Sequence, residues 1–444
     1  MAIRLSDHFN YKKLLRFVLP SILMMVFTSV YGVVDGIFVS TVVGNTAFKA
    51  VNLVLPLPMA LGSLGFMLGA GGSAIVSKTF GEGKDELANK YFSLLVYVTA
   101  IGGVAVAIVG EILLEPFCRF FKADGEYLDY CLRYGRIVIA GVPLFMLQNI
   151  FQTFFVTAER PKLGFLVTLI AGCSNIVGDW LLVGVFRFEV EGAAVATVLG
   201  EALGAIIPIV YFFKKNNGSI LRLGKTEMHG KVLLDACTNG SSEFLSNVSG
   251  SFVSMLYNYQ LTRLVGSDGV GAYGVLMYVN FIFFAIFIGY AVGIAPVVGY
   301  NYGAKNDSEL KNIFKKSMIL MGIFGVAMTV FAETFAPVLA NVFSAGNQHM
   351  YELTCRAFLF SGFVFLMCGF NIFGSAFFTA LGNGPISALI SCLRTLVFQT
   401  GCVLLLPLFL DIDGIWLAVV VSDFCTLIVT WGFLFAKRKK YSYM

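Results

Sequence analysis

Charged side chains are few in this chain. Asp, Glu, Lys and Arg make up 13% of its 444 residues, about half the roughly 25% of an average soluble domain. With 58% of the residues hydrophobic, so little charge cannot hold that apolar surface in solution, which excludes a water-soluble protein of this size. Histidine is scarcer still. His8, His229 and His349 stand far apart in polar segments, so no metal centre is expected. The nine cysteines are scattered, mostly inside apolar runs, with no CxxC pair. They form no disulfide framework and read as small buried hydrophobes.

Catalytic motifs are missing as well. "GAGGSA" (69–74) and "GEGKDE" (81–86) are glycine-rich, but neither follows a β-strand. A phosphate loop would need Gly at 78 and Ser or Thr at 85, where the chain has Lys78 and Asp85. The two stretches read instead as close helix packing followed by a turn. The sequence therefore points away from an enzyme and names no cofactor. Without a nucleotide site, any transport has to be driven by an ion gradient.

What the chain does have is long apolar runs separated by short polar loops. In lipid the backbone must satisfy its own hydrogen bonds, and runs of this length do so as helices rather than as barrel strands of about 10 residues. Twelve runs are expected, near 14–40, 50–77, 92–114, 133–158, 163–186, 192–213, 233–262, 272–300, 314–340, 355–381, 386–410 and 414–436. The first is too long for a cleaved signal peptide and lacks a small-residue cleavage site, so it reads as an uncleaved first helix. With the N-terminus placed inside, 22 of the 31 Lys and Arg fall in inside segments and 8 outside, with Arg394 inside a helix. That bias places both termini in the cytoplasm. The net charge of +5 is then membrane topology, and "KRKK" (437–440) is a juxtamembrane anchor rather than a nucleic-acid patch.

The sequence also repeats. Shifted by 222 residues, "VGNTAFKA" (43–50) lies over "VGSDGVGA" (265–272). Gly71 then meets Gly293, Gly81 meets Gly303, Asp85 meets Asp307, Glu111 meets Glu333, Gly192 meets Gly414 and Glu201 meets Asp423. Six helices per half is an even number, so both halves enter from the same side: a parallel repeat about an axis along the membrane normal, with a cleft between the halves. The expected organisation is a six-helix bundle over 1–213, a cytoplasmic linker over 214–231 and a second six-helix bundle over 232–444.

These features resemble the MATE (multidrug and toxic compound extrusion) transporters over essentially the whole chain. The resemblance is carried by Pro20 followed fifteen residues later by Asp35, by "VG" at 43–44, and by the glycine-rich end of helix 2. It continues in "NIVGDWLL" (175–182), "EGAAVAT" (191–197), "TALGNGP" (379–385) and "DIDGIW" (411–416). The "GGSAIVSKTFGEG" segment is most similar to the MepA-like bacterial branch. The resemblance implies an all-α 6+6 fold, alternating access, and a bacterial plasma-membrane antiporter. Such an antiporter exports cationic or amphipathic drugs or metabolites in exchange for H⁺ or Na⁺. A monomer is expected. Branches of the NorM type carry further acids in helices 7 and 10. Here the helix-10 position falls on Asn371, and Glu243 lies nearer the inner end of helix 7. The alternatives are a flippase or exporter of lipid-linked precursors, and a channel or receptor. A flippase would call for a strongly basic cavity, whereas only Arg394 lies deep beside at least four acids. The two-half repeat with a helix-breaking proline argues for alternating access over a channel.

Charge inside the bilayer is costly, about 2.5–3.5 kcal/mol per group on insertion scales, and marks function. Asp35, Asp179, Glu201, Glu243, Arg394 and Asp423 all lie within apolar runs. Helices 1 and 5 both run outward, and Asp35 and Asp179 sit late in each, so the two acids fall at similar depth. Asn175 stands one turn before Asp179, and Thr197 reaches the same level from the outside. Two carboxylates, an amide and a hydroxyl suit one small hard cation such as Na⁺, or a shared proton, because two close carboxylates in a low dielectric cannot both stay charged. In the resembling family the matching positions form the coupling site, with Pro20 as the hinge below it. Glu201 and Asp423 read as structural, paired with Arg394 or capping a loop. Glu243 opens a polar face with Asn247, Ser251 and Ser254 and is a gating or substrate candidate. Gln148 and Gln152, beside Met146 and Phe151 on helix 4, together with Tyr257, Asn258 and Asn371, are further substrate candidates.

Overall fold

The structure is a computed structural model that describes residues 3–214, 218–344 and 347–444. Part of the expected linker, residues 215–217, lies outside the described residues. The chain forms an all-α membrane protein of twelve spans. The first half comprises α1 (Tyr11–Phe38), α2 (Asn45–Val54), α3 (Pro56–Gly81), α4 (Asp85–Phe120), α5 (Gly125–Thr157), α6 (Pro161–Gly178) and α7 (Glu189–Phe213). The second comprises α8 (Gly230–Leu264), α9 (Ser267–Gly303), α10 (Asp307–Ser344), α11 (Gln348–Ser361), α12 (Phe365–Ala380), α13 (Gly384–Cys392), α14 (Thr400–Leu405) and α15 (Pro407–Tyr441). Several spans are composite. A π-helical turn, Val39–Val43, extends α1, another, Asp179–Val185, extends α6, and a third, Leu393–Gln399, joins α13 to α14. Inside α15 the backbone breaks at Asp411 (φ 47°, ψ −130°), where the chain turns from the eleventh span into the twelfth.

Eleven of these spans are long and apolar enough to cross a membrane by composition. The remaining one is α8, which is long enough but carries Asn239, Ser241, Ser242, Glu243, Asn247, Ser251 and Ser254 along its length.

The short turns between helices share one device. After α3, α5, α9 and α12, a single residue takes positive φ: Gly83, Glu159, Lys305 and Gly382. The amide that follows bonds back to the last helical turn, as in Lys84 N–H to Thr79 O (3.2 Å) and Asn383 N–H to Phe378 O (2.8 Å). This reverses the chain within a few residues and satisfies the terminal carbonyls. "GEGKDE" is one of these turns. All four lie on the side that carries both termini.

Contacts between the halves gather on that same side and obey the 222-residue repeat. A methyl group at Gly81 would strike the backbone of Tyr300, and one at Gly303 would strike the backbone of Lys78. Both members of one contact are thus the repeat mates of the members of the other. Likewise Gly71 abuts Gly240, and Gly293 abuts Val18. An axis along the membrane normal relates the two bundles, and glycine at the crossing points lets the backbones touch. Farther along α1 and α9, Ser29 Oγ donates to Phe281 O (3.3 Å). The glycine contacts close the cleft on the termini side.

The N-terminal segment straps this closed face. Leu5 N–H donates to Glu159 of the first half (2.7 Å), and Phe9 N–H donates to Glu309 of the second (2.9 Å). The described part of the linker packs on the first half. Leu221 and Leu223 are buried, and the amides of Arg222 and Gly224 donate to Asn89 Oδ1 (2.6 Å) and Ser93 Oγ (3.0 Å) of α4.

Gly240 tests whether these backbone contacts hold the closed face. Its Cβ position is occupied by the Met67 carbonyl, so Gly240→Leu should wedge α8 away from α3. A Ser77→Cys reporter, whose parent serine is fully buried beside Gly299, should then react several-fold faster with a maleimide in a background without the native cysteines. An unchanged labelling rate would show that the glycine contact does not maintain closure.

Candidate functional site

Asp35 lies in the last turn of α1, directly before the first π-helical turn, and Asp179 opens the second. π-Helical segments widen a helix locally and often occur at functional positions. The two carboxylates face each other. Asp179 is 0% exposed, and no donor reaches either of its oxygens or Asp35 Oδ1. Buried polar atoms are normally paired, so two facing acids without a donor set up a place for a shared proton or a small cation. Among the described residues no group of three or more His, Cys, Asp or Glu gathers to hold a metal ion.

Asn175 and Thr197 lie beside the pair. Asn175 Nδ2 donates to Thr197 Oγ1 (3.4 Å), and the Thr197 hydroxyl donates to Ala193 O (3.0 Å). This ties the end of α6 to α7 and leaves Asn175 Oδ1 unpartnered. Two tyrosines that sequence reasoning missed complete the surroundings. Tyr31, one turn before Asp35, neighbours Gln148, Asp35 and Glu201. Tyr134, 1% exposed, sits near Asp35, Asp179 and Glu201. The i, i+4 spacing of Tyr31 and Asp35 was the available signal for the first; nothing local in the sequence marks Tyr134.

The second half treats its deep acid differently. Asp423 receives Arg394 Nε at 3.0 Å and Nη2 at 3.3 Å, as the expected structural pairing required. Asn371 Nδ2 adds a 2.9 Å bond to the same carboxylate, and Thr430 Oγ1 donates to Asn371 Oδ1 (3.1 Å). The Asn371 amide is thus bonded into the ion pair and buried with it. Glu201 departs from its expected pairing. Among the described residues it meets no basic partner, and its Oε2 is buried without a donor.

The other residues singled out in the sequence are spread over both halves. Glu243 lies one turn beyond Gly240 on α8 and is half-buried, and Asn247 Nδ2 donates to its backbone carbonyl (2.8 Å). Gln152 is buried against Thr168 (3.3 Å), and Gln148 is packed against Gly204, so both face the interior of the first bundle. Tyr257 stacks on Tyr273 with centroids 4.8 Å apart, and Asn258 beside it is half-buried. Pro20 is buried within an unbroken α1.

The family model described as MatE matches residues 20–181 and 244–402, one stretch in each half. The chain belongs to the MatE family. Curated relatives include the multidrug export protein MepA of Staphylococcus saprophyticus, 23% identical over 94% of this chain and 92% of its own. MepA of Staphylococcus aureus is 22% identical over the same shares. Among solved structures, a MATE protein in complex with MaL6 superposes with a TM-score of 0.93 at 22% identity, covering 99% of this chain and 98% of its own. A multidrug resistance MATE transporter of the MOP superfamily in an outward-facing conformation gives 0.91 at 22% identity, over 97% and 96%. The 6+6 MatE fold accounts for the parallel repeat and for a cleft bounded by both bundles.

Proposed function

We propose that this MatE protein is a secondary antiporter of the bacterial plasma membrane, with both termini cytoplasmic. It exports cationic or amphipathic drugs or metabolites in exchange for H⁺ or Na⁺ by alternating access. The observation that carries the proposal is the facing Asp35–Asp179 pair in the interior of the first bundle, with no basic residue among the described ones to neutralise it. A proton or cation entering that pair relieves the repulsion between the acids and favours whichever arrangement of α1 holds it, with Pro20 as the hinge. The MepA relatives, described as multidrug export proteins, support the substrate class. Among the described residues the deep Arg394 is taken by Asp423, which argues against a basic cavity for a diphosphate and disfavours a flippase. Purified protein in liposomes should export a lipophilic cation when a pH or Na⁺ gradient is imposed and stay idle without one. Export indifferent to both gradients would contradict the reading.

Glu243 gives this function a substrate sign. An acid on α8 attracts cations strongly in a low dielectric. Glu243→Gln should therefore slow export of monovalent and divalent cations more than export of neutral compounds. Equal loss across all substrates would assign Glu243 to the closure of the α3–α8 seam instead.

A further inference from the structure

Glu201 is the half-buried acid of the first bundle that the Asp35–Asp179 site leaves unused, and its Oε2 is buried. It sits on α7 one turn beyond Thr197, with its Oε2 against the space beside Gly141 of α5 (3.2 Å from a methyl built there) and no donor in reach. Gly200, the residue before it, packs against Asn175 and the Ala171 carbonyl of α6. Glu201 therefore points into the first bundle, toward α5 and α1, and not into the cleft between the halves. The titratable groups in its neighbourhood are Tyr31 and Asp35 on α1, Tyr134 on α5 and Asp179 at the end of α6. None of these is basic. The repeat sharpens the point. Asp423 occupies the equivalent position in the second half and is neutralised by Arg394. An acid kept for structure alone has that solution available in this very fold, and Glu201 does without it.

We propose that Glu201 is a third proton-holding carboxylate of the coupling pathway, exchanging its proton with the Asp35–Asp179 pair by way of Tyr31. In that exchange the Tyr31 hydroxyl, which bonds Gln148 at rest, turns to accept a proton from the Asp35 carboxyl and passes its own to the Glu201 carboxylate. Tyr31 ends unchanged and no net charge appears. The proton thereby moves one turn down α1 toward the termini side, while the aspartate pair is freed for its next ion. In this proposal the part of Glu201 is to hold and relay the proton.

This inference rests on the proposed antiport in its H⁺ form, and one measurement separates the two. Ethidium binding to the purified protein, followed by calorimetry in buffers of differing protonation enthalpy, counts protons released per cation bound. Wild type should release protons, Glu201→Gln should release about one fewer, as expected for one carboxylate removed from the linkage, and Glu201→Asp should restore the wild-type count. Equal counts in wild type and Glu201→Gln would overturn the role of Glu201 and leave the antiport standing. No proton release from wild type would overturn the relay and the H⁺ form of the antiport together. If Glu201→Gln does not fold, mass mapping of the wild type after treatment with a hydrophobic carbodiimide, which reacts with protonated carboxyls in apolar surroundings, takes its place. Modification of Glu201 that rises as pH falls supports the relay, and modification that is absent or indifferent to pH overturns it.

Discussion

Gradient-driven efflux should collapse in Asp35→Asn and in Asp179→Asn, each alone, while the protein stays inserted and folded. Asparagine keeps the size and polarity of the acid, so the packing at the π-helical turns survives. What it removes is the charge that makes two facing groups bind a proton or cation. Coupling free energies between sites usually amount to about 1–3 kcal/mol, a factor of roughly 5–150, and efflux should fall by that order toward the level of empty liposomes. Because the acids act as one site, Asp35→Asn/Asp179→Asn should be no worse than either single variant. Substrate binding to detergent-solubilised protein should persist in all three and serves as the check on folding. Wild-type efflux in either single variant would sink the assignment.

The largest stability effect is expected at Arg394. Its guanidinium holds Asp423, which is 1% exposed, through two bonds. Removing one partner of a buried pair leaves the other charge uncompensated, at a cost of about 3–5 kcal/mol. Arg394→Met should lower the unfolding temperature in detergent accordingly. Arg394→Met/Asp423→Asn should recover most of the loss, since apolar or neutral replacement of a whole buried pair is often close to neutral. Thermal unfolding followed by tryptophan fluorescence measures both. If Arg394→Met is as stable as wild type, the pair does not brace the second half. If the double variant is as unstable as the single, the loss comes from packing against Phe284, over whose ring the guanidinium lies at 5.9 Å.

The architecture could be read from the sequence wherever one physical constraint dominated. Lipid forces apolar runs into helices, and each of the twelve expected runs falls on helix in the structure, the one near 233–262 becoming the polar α8. Gly71, Gly81, Gly293 and Gly303 stood out as repeat landmarks, and the structure gives the reason: each lies where a side chain would strike the opposing half. The meeting of Asp35 and Asp179 followed from depth alone, because both helices run in the same direction. What depends on tertiary partners was hidden. The repeat pairs Glu201 with Asp423, but only packing decides that Arg394 turns to Asp423. Asn371 occupies a position where related branches carry an acid, yet its amide is spent on that ion pair. The π-helical turns at Val39–Val43, Asp179–Val185 and Leu393–Gln399 have no local sequence signature, and they set how the neighbouring charged side chains are presented.

The central claim is that substrate and ion movements are linked through the Asp35–Asp179 pair. Thermodynamic linkage is reciprocal, so the link can be run backwards. Liposomes containing the protein and a trapped pH- or Na⁺-sensitive dye are given a steep gradient of a lipophilic cation and no ion gradient. The account predicts that the cation moving one way drives H⁺ or Na⁺ the other way in wild type, and that Asp35→Asn abolishes the ion signal. Substrate movement without countermovement of either ion, or an ion signal that survives in Asp35→Asn, would contradict it.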